Sequence, residues 1–191
     1  DNATLRISGG YDTLTGEPFK GQLSLRLKDV GENHVISPIS SLTSALSPTQ
    51  ATALRSKLNI NLSEEEEDYT PKDRNTNGEL LNRAIKLHKV VALLSEKITA
   101  IYTALGDENG LPVDATNIVY EALAKALSNY SGTMEDALVD ENLLKNVAIA
   151  AELAIQKRYT EKELPLPAQS NDASKFDVIV GRVQELTPLI D

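Results

Sequence analysis

The chain contains no cysteine and no tryptophan, and only one of its 191 residues is methionine. Without cysteine it can form no disulfide, thiolate nucleophile, iron–sulfur cluster or thiolate zinc site. Its compartment stays open, because surface proteins of bacteria avoid cysteine as thoroughly as cytosolic ones do. Basic side chains are scarce: 19 face 28 acidic ones, a formal net charge of −9. Phosphate backbones and anionic lipid are repelled by such a chain, so neither nucleic acid nor a membrane surface is expected as the main partner. No apolar run approaches the roughly 20 residues that cross a bilayer, so membrane insertion is not expected. No period of about 20 to 50 residues repeats, which argues against a solenoid. The first residue is Asp1 and not methionine, so the chain is expected to be a processed or excised piece of a larger protein.

Residues 1–36 differ in texture from the rest. Ala3 to Ser8 alternates polar and apolar residues and stops at Gly9-Gly10, and Gln22 to Lys28 alternates again with Leu23, Leu25 and Leu27 on one face. The pair predicts a small β-hairpin or ribbon. A lone hairpin is marginal in water, so it should lean on the helices or on a neighbour.

From Ser37 onward the punctuation is helical. Ser37-Pro38 and Ser47-Pro48 each set a capping hydroxyl before a proline and predict helices over about 38–46 and 48–58, the second with Leu54 and Leu58 on its apolar edge. Asn59 to Asn77 reads as a polar loop. A long helix is expected from about Gly78 to Leu105, with Leu81, Ala84, Ile85, Val91, Ala92, Ile98, Ile101 and Leu105 as its stripe. Further helices are expected over 115–130, capped by Asp114, and over 140–158. The alanines Ala148, Ala150, Ala151 and Ala154 suit the latter to a central place. Leu164-Pro165-Leu166-Pro167 reads as an extended connector before a last helix over 172–186. The fold class is mainly α: an antiparallel helical bundle with a short N-terminal β-hairpin or ribbon, residues 1–36 forming the ribbon and 37–191 the bundle.

Motifs that would carry chemistry are weak. Asp73 to Gly78 matches the first half of an EF-hand loop, with oxygen ligands at positions one, three and five and glycine at six. Position twelve is Ala84 where a bidentate glutamate is required, so the plainer reading is a polar loop feeding a helix, with Thr76 or Asn77 as its cap. Glu64 to Asp68 and Asp107-Glu108-Asn109 read as solvated acidic turns. Of the two histidines, His34 precedes a capped helix and His88 lies at the edge of the long helix's stripe; neither has a second ligand at metal spacing. There is no Gly-x-Ser-x-Gly elbow, and neither Gly9-Gly10 nor Gly106 to Gly110 forms a P-loop or a dinucleotide fingerprint. The sequons at Asn2, Asn61 and Asn129 are adequately explained by chance. No catalytic, cofactor-binding or metal-binding residue is assigned, and no cofactor is expected.

One segment is specific enough to suggest a relative. Asp12, Thr13, Thr15, Gly16, Phe19, Gly21 and Leu23, followed by Val35, Ser37, Pro38, Ile39, Ser40, Ser41 and Leu42, form a pattern over the first 60 or so residues. It resembles a helical segment that follows an Ig-like or carboxypeptidase-regulatory-like β-domain in very large bacterial surface and secreted, adhesin-like proteins. The resemblance implies a modular, non-catalytic piece of an extracellular or cell-surface protein, and it brings no binding residues with it. Glu32 to Ser41 also looks like the opening of a serpin, but the helical punctuation after Ser37 leaves no room for a serpin's large sheet.

The sequence therefore points to a structural or adhesive module acting through protein–protein contacts with neighbouring domains or identical subunits. Two alternatives remain: a filament subunit that adds its N-terminal strand to the next subunit's sheet, and a calcium-dependent module using Asp73 to Glu79. An enzyme is not expected.

Overall fold

A computed structural model describes residues 3–11, 19, 21–27, 35–60, 74–103, 115–163 and 181, and only the backbone of 74–77 and 101–103. The described chain is mainly helical, with one two-stranded antiparallel sheet. Strands β1 (Thr4–Ser8) and β2 (Gln22–Arg26) are followed by helices α1 (Pro38–Ser44), α2 (Pro48–Leu58), α3 (Arg74–Thr103), α4 (Ala115–Asn129), α5 (Met134–Val139) and α6 (Glu141–Glu161). No described helix is long and apolar enough to cross a membrane. The expected cap Asp114, the connector from Leu164 and the helix over 172–186 lie outside the described residues, apart from a helical Gly181.

Both serine–proline signals work as read. Ser37 accepts from the Ser40 N–H while Ser40 Oγ accepts from the Ser37 N–H, and Ser47 and Gln50 form the same reciprocal box on α2. Asn59 takes the left-handed conformation at φ 52°, which turns α2 off and lets the buried Ile60 donate back to the Arg55 carbonyl at 2.9 Å.

The long helix corrects the sequence reading twice. It begins at Arg74, so Asn75, Thr76 and Asn77 are helical residues and not a loop with its cap. Its buried stripe is Leu80, Ala84, Leu87, Val91, Leu94 and Ile98, spaced by four and three, with Val90 and Ser95 buried beside it. The doublets Leu80-Leu81, Val90-Val91 and Leu93-Leu94 allow two phases, and Leu81, Ile85 and Ala92 of the expected stripe are only half-buried.

The centre of the core is α4, not the alanine-rich helix. It packs against α1, α2, α3, α6 and β2, and it buries Ile118, Val119, Tyr120, Leu123, Ala124 and Leu127. On α6, Ala148 and Ala151 are buried while Ala150 and Ala154 are exposed. Alanine favours helix on either face and so carries little information about burial.

The helix α5 was not anticipated, though its signal stands in the chain. Thr133 Oγ1 accepts from the Asp136 N–H at 3.1 Å, and Asp136 Oδ2 accepts from the Thr133 N–H at 3.1 Å and its hydroxyl at 2.7 Å. Hydrogen bonds to the charged form, first from the hydroxyl and then from the backbone, hold the Asp136 carboxyl below its ordinary value of 3.8. A depressed folded value means that the cap's contribution is complete above the unfolded value and fades as pH falls through the folded one. NMR titration should place the Asp136 midpoint below 3.8, with Thr133→Ala moving it back toward that value; an unmoved midpoint would contradict the assignment.

Candidate functional site

The hairpin is held on one side and open on the other. In the register Leu5↔Leu25 and Ile7↔Leu23, with Leu27 donating to the Ala3 carbonyl, the odd-numbered residues of β1 pair with β2. Alternation in an antiparallel pair sends the N–H and C=O groups of Thr4, Arg6 and Ser8 to the far edge of β1, and those of Ser24 and Arg26 to the far edge of β2.

A serine-rich helix occupies the edge of β2. Ser24 N–H donates to Ser41 Oγ at 2.9 Å, and Arg26 N–H donates to Ser44 Oγ at 2.9 Å. Returning from the helix, Ser40 Oγ lies 3.1 Å and Ser41 Oγ 3.3 Å from the Ser24 carbonyl. Both hydroxyls also reach the Ser37 carbonyl. The Arg26 guanidinium donates to the carbonyl of Ser44, the last residue of α1, and to that of Leu46 in the turn after it. Serine hydroxyls thus stand where a third strand's backbone would, and Ser24, Ser40 and Ser41 are all buried. The same helix turns Ile39 and Leu42 into the core, so the hairpin and the bundle share one helix.

The glycines set how the hairpin meets the bundle. Gly21 sits at φ 138°, and a side-chain carbon there would come 3.3 Å from Thr116 Oγ1 on α4; only glycine fits both the conformation and the approach. Gly9 and Gly10, at φ 73° and 93°, turn the chain away after Ser8, and the Gly10 carbonyl accepts from the Phe19 N–H at 2.9 Å.

Every residue of β1 is exposed. Leu5 and Ile7 share a face with Leu23 and Leu25, yet their partners sink into the bundle while they overhang it at 41% and 47% exposure. Tyr11, just beyond, is 74% exposed. Among the described residues no strand pairs with the second edge of β1. An uncovered edge beside an apolar overhang is a template for another extended segment.

Among the described residues, those weighed for chemistry do not converge. His88 stacks on Phe19, ring centroids 5.1 Å apart and 16° from parallel, a packing contact between the hairpin connection and α3. His34, Glu64 to Asp68, Asp73, Asp107 to Asn109, Asn2 and Asn61 lie outside the described residues. Position twelve of the half EF-hand, Ala84, is buried in the core, and positions two to five are wound into α3. A calcium loop wraps its ligands around the ion from an open backbone, which a helix does not provide. Asn129 ends α4 and donates its amide to the Lys125 carbonyl. Among the described residues no three His, Asp or Glu side chains gather as metal ligands.

Of the residues that fasten the hairpin, Ser40 and Ser41 enter the sequence reading only as part of the family-like pattern, and Ser44 and Arg26 do not enter it. Their signal is the density of hydroxyls in Ser37 to Ser44, more than one helix cap requires. Compared with known proteins, the chain matches no family model, no curated protein and no solved structure.

Proposed function

We propose that this chain is a non-catalytic structural or adhesive module that works through protein–protein contacts made by its hairpin. One observation carries the reading: β2 is fastened to the bundle by buried serines, while β1, with Leu5 and Ile7, is exposed and among the described residues no strand pairs with its outer edge. An edge strand exposed this way is a hazard that proteins usually blunt, so its retention suits a strand that another chain or domain completes. The setting in a bacterial extracellular or cell-surface protein rests on the resemblance of residues 12–42 alone. Identical subunits joined into a filament would use the same edge.

Site-directed photo-crosslinking in the producing cells tests the reading. A photoreactive residue at Ile7 should capture polypeptide, and one at Leu153, exposed on α6, should not. The double variant Leu5→Lys/Ile7→Lys should abolish capture while its far-ultraviolet circular dichroism stays that of the unaltered chain, because both side chains lie outside the core. Equal capture at the two positions would overturn the proposal.

A further inference from the structure

We propose that the open edge of β1 pairs with β1 of a second copy of this chain, antiparallel across a two-fold axis at Leu5, and that assembly stops at two copies; this rests on the interaction-module reading and names the partner. The ladder with β2 reaches one residue before β1, where the Leu27 N–H donates to the Ala3 carbonyl at 2.9 Å. Ala3, Leu5 and Ile7 therefore share one exposed face, while Thr4, Arg6 and Ser8 turn their backbone groups outward. A two-fold contact requires the strand to be its own complement. Centred on Leu5, the pairing sets Leu5 against Leu5, Ala3 against Ile7 and Thr4 against Arg6 of the other copy. Leu5–Leu5 and Ala3–Ile7 become the close positions without mutual hydrogen bonds, and Thr4 and Arg6 exchange the backbone bonds. Arg6 keeps the partner it has within its own chain. The pairing asks no charge of the second copy, and no arginine faces another, as it would with the axis through Arg6.

The other edge of the hairpin decides how far assembly goes. The hydroxyls of Ser41 and Ser44 occupy the Ser24 and Arg26 N–H groups on the outer edge of β2. A sheet ordered β2–β1–β1–β2 thus carries α1 along both rims, and it closes as a dimer instead of growing into a filament. The two overhangs lie on the same side of that sheet, so Leu5 and Ile7, 41% and 47% exposed in one copy, cover one another. Strands this short bury less than the roughly 1,200 Å² at which stable interfaces begin. The dimer is therefore reversible and forms only in concentrated solution. Each copy brings a net charge of −9, so added salt screens the repulsion and favours pairing.

Single thiols test this in the whole chain, which has no cysteine of its own. Close opposed residues of an antiparallel pair lie about 4.5 Å apart between Cα atoms, within the span of a disulfide. Under oxidised glutathione, Leu5→Cys should form a covalent dimer about tenfold or more faster than Leu153→Cys, whose exposed thiols meet only by diffusion. Ile7→Cys alone should be as slow as Leu153→Cys, yet should link rapidly when mixed with Ala3→Cys. Sedimentation equilibrium of the unaltered chain should show the mass rising from 20.7 kDa toward twice that value and no further, more so at higher salt, and Leu5→Lys should remain monomeric. Rapid linking of Leu5→Cys to Ile7→Cys in place of itself would overturn this pairing, and masses beyond the dimer would overturn its closure. Equal slowness of Leu5→Cys and Leu153→Cys would overturn the second copy as partner; capture of a different polypeptide at Ile7 would then leave the interaction-module reading standing, and capture of none would end both.

Discussion

Leu123→Ala lowers the stability of the whole chain by about 2–5 kcal/mol, the range for emptying a well-packed leucine site. Leu123 is fully buried on α4, which packs against α1, α2, α3, α6 and β2. A cavity there cannot be closed by shifting one helix without disturbing the others. Leu153→Ala removes the same atoms from a site on α6 that is 58% exposed, and it should stay within about 0.5 kcal/mol of the unaltered chain. Urea unfolding of the two variants, followed by helix signal, compares them directly. Equal effects would mean that α4 is not the centre of the core.

The second large effect falls on the hairpin. Ser40→Ala/Ser41→Ala removes the acceptor of the Ser24 N–H, the donors to the Ser24 carbonyl and half of the α1 capping box. Leaving such groups buried without partners costs about 1–3 kcal/mol each, and because the two serines share the Ser24 and Ser37 carbonyls the losses will not simply add. The helical core should survive and β2 should come loose, seen as faster hydrogen exchange in Leu23 to Arg26 than in α4. Thr52→Ala, which removes an exposed hydroxyl bonded to the Pro48 carbonyl, should change little. A double variant whose β2 exchanges as slowly as before would show that apolar burial alone docks the hairpin.

How much of this could be read from the chain differs from element to element. Alternation and glycine punctuation gave β1 and β2, and two serine–proline caps gave the starts of α1 and α2 to the residue. Those signals are local, and local geometry settles them. The phase of α3 was not legible because adjacent apolar doublets leave two stripes equally periodic, and packing against α4 decides between them. The place of α6 was misread because alanine is at home on either side of a helix. The hairpin's fastening was hidden for a different reason: Ser40, Ser41 and Ser44 look like ordinary polar residues of a short helix, and only the tertiary approach of β2 makes them the strand's hydrogen-bond partners.

The half EF-hand is already doubtful in the chain, because Ala84 stands where a bidentate glutamate is needed, and the backbone from Arg74 onward winds into α3 and takes Ala84 into the core. A motif of oxygen-bearing residues is a site only when the backbone is free to curve around an ion.

The central claim is an asymmetry between the two edges of one hairpin, and native-state amide hydrogen exchange on the free chain measures it strand by strand. The Ser24 and Arg26 amides, bonded to the hydroxyls of Ser41 and Ser44, should exchange slowly, while the Thr4 and Ser8 amides, aimed at the uncovered edge, should exchange with the solvent-exposed turns. Protection at Thr4 and Ser8 equal to that at Ser24 and Arg26 would contradict the account, because β1 would then already be covered and would have no edge to offer a partner.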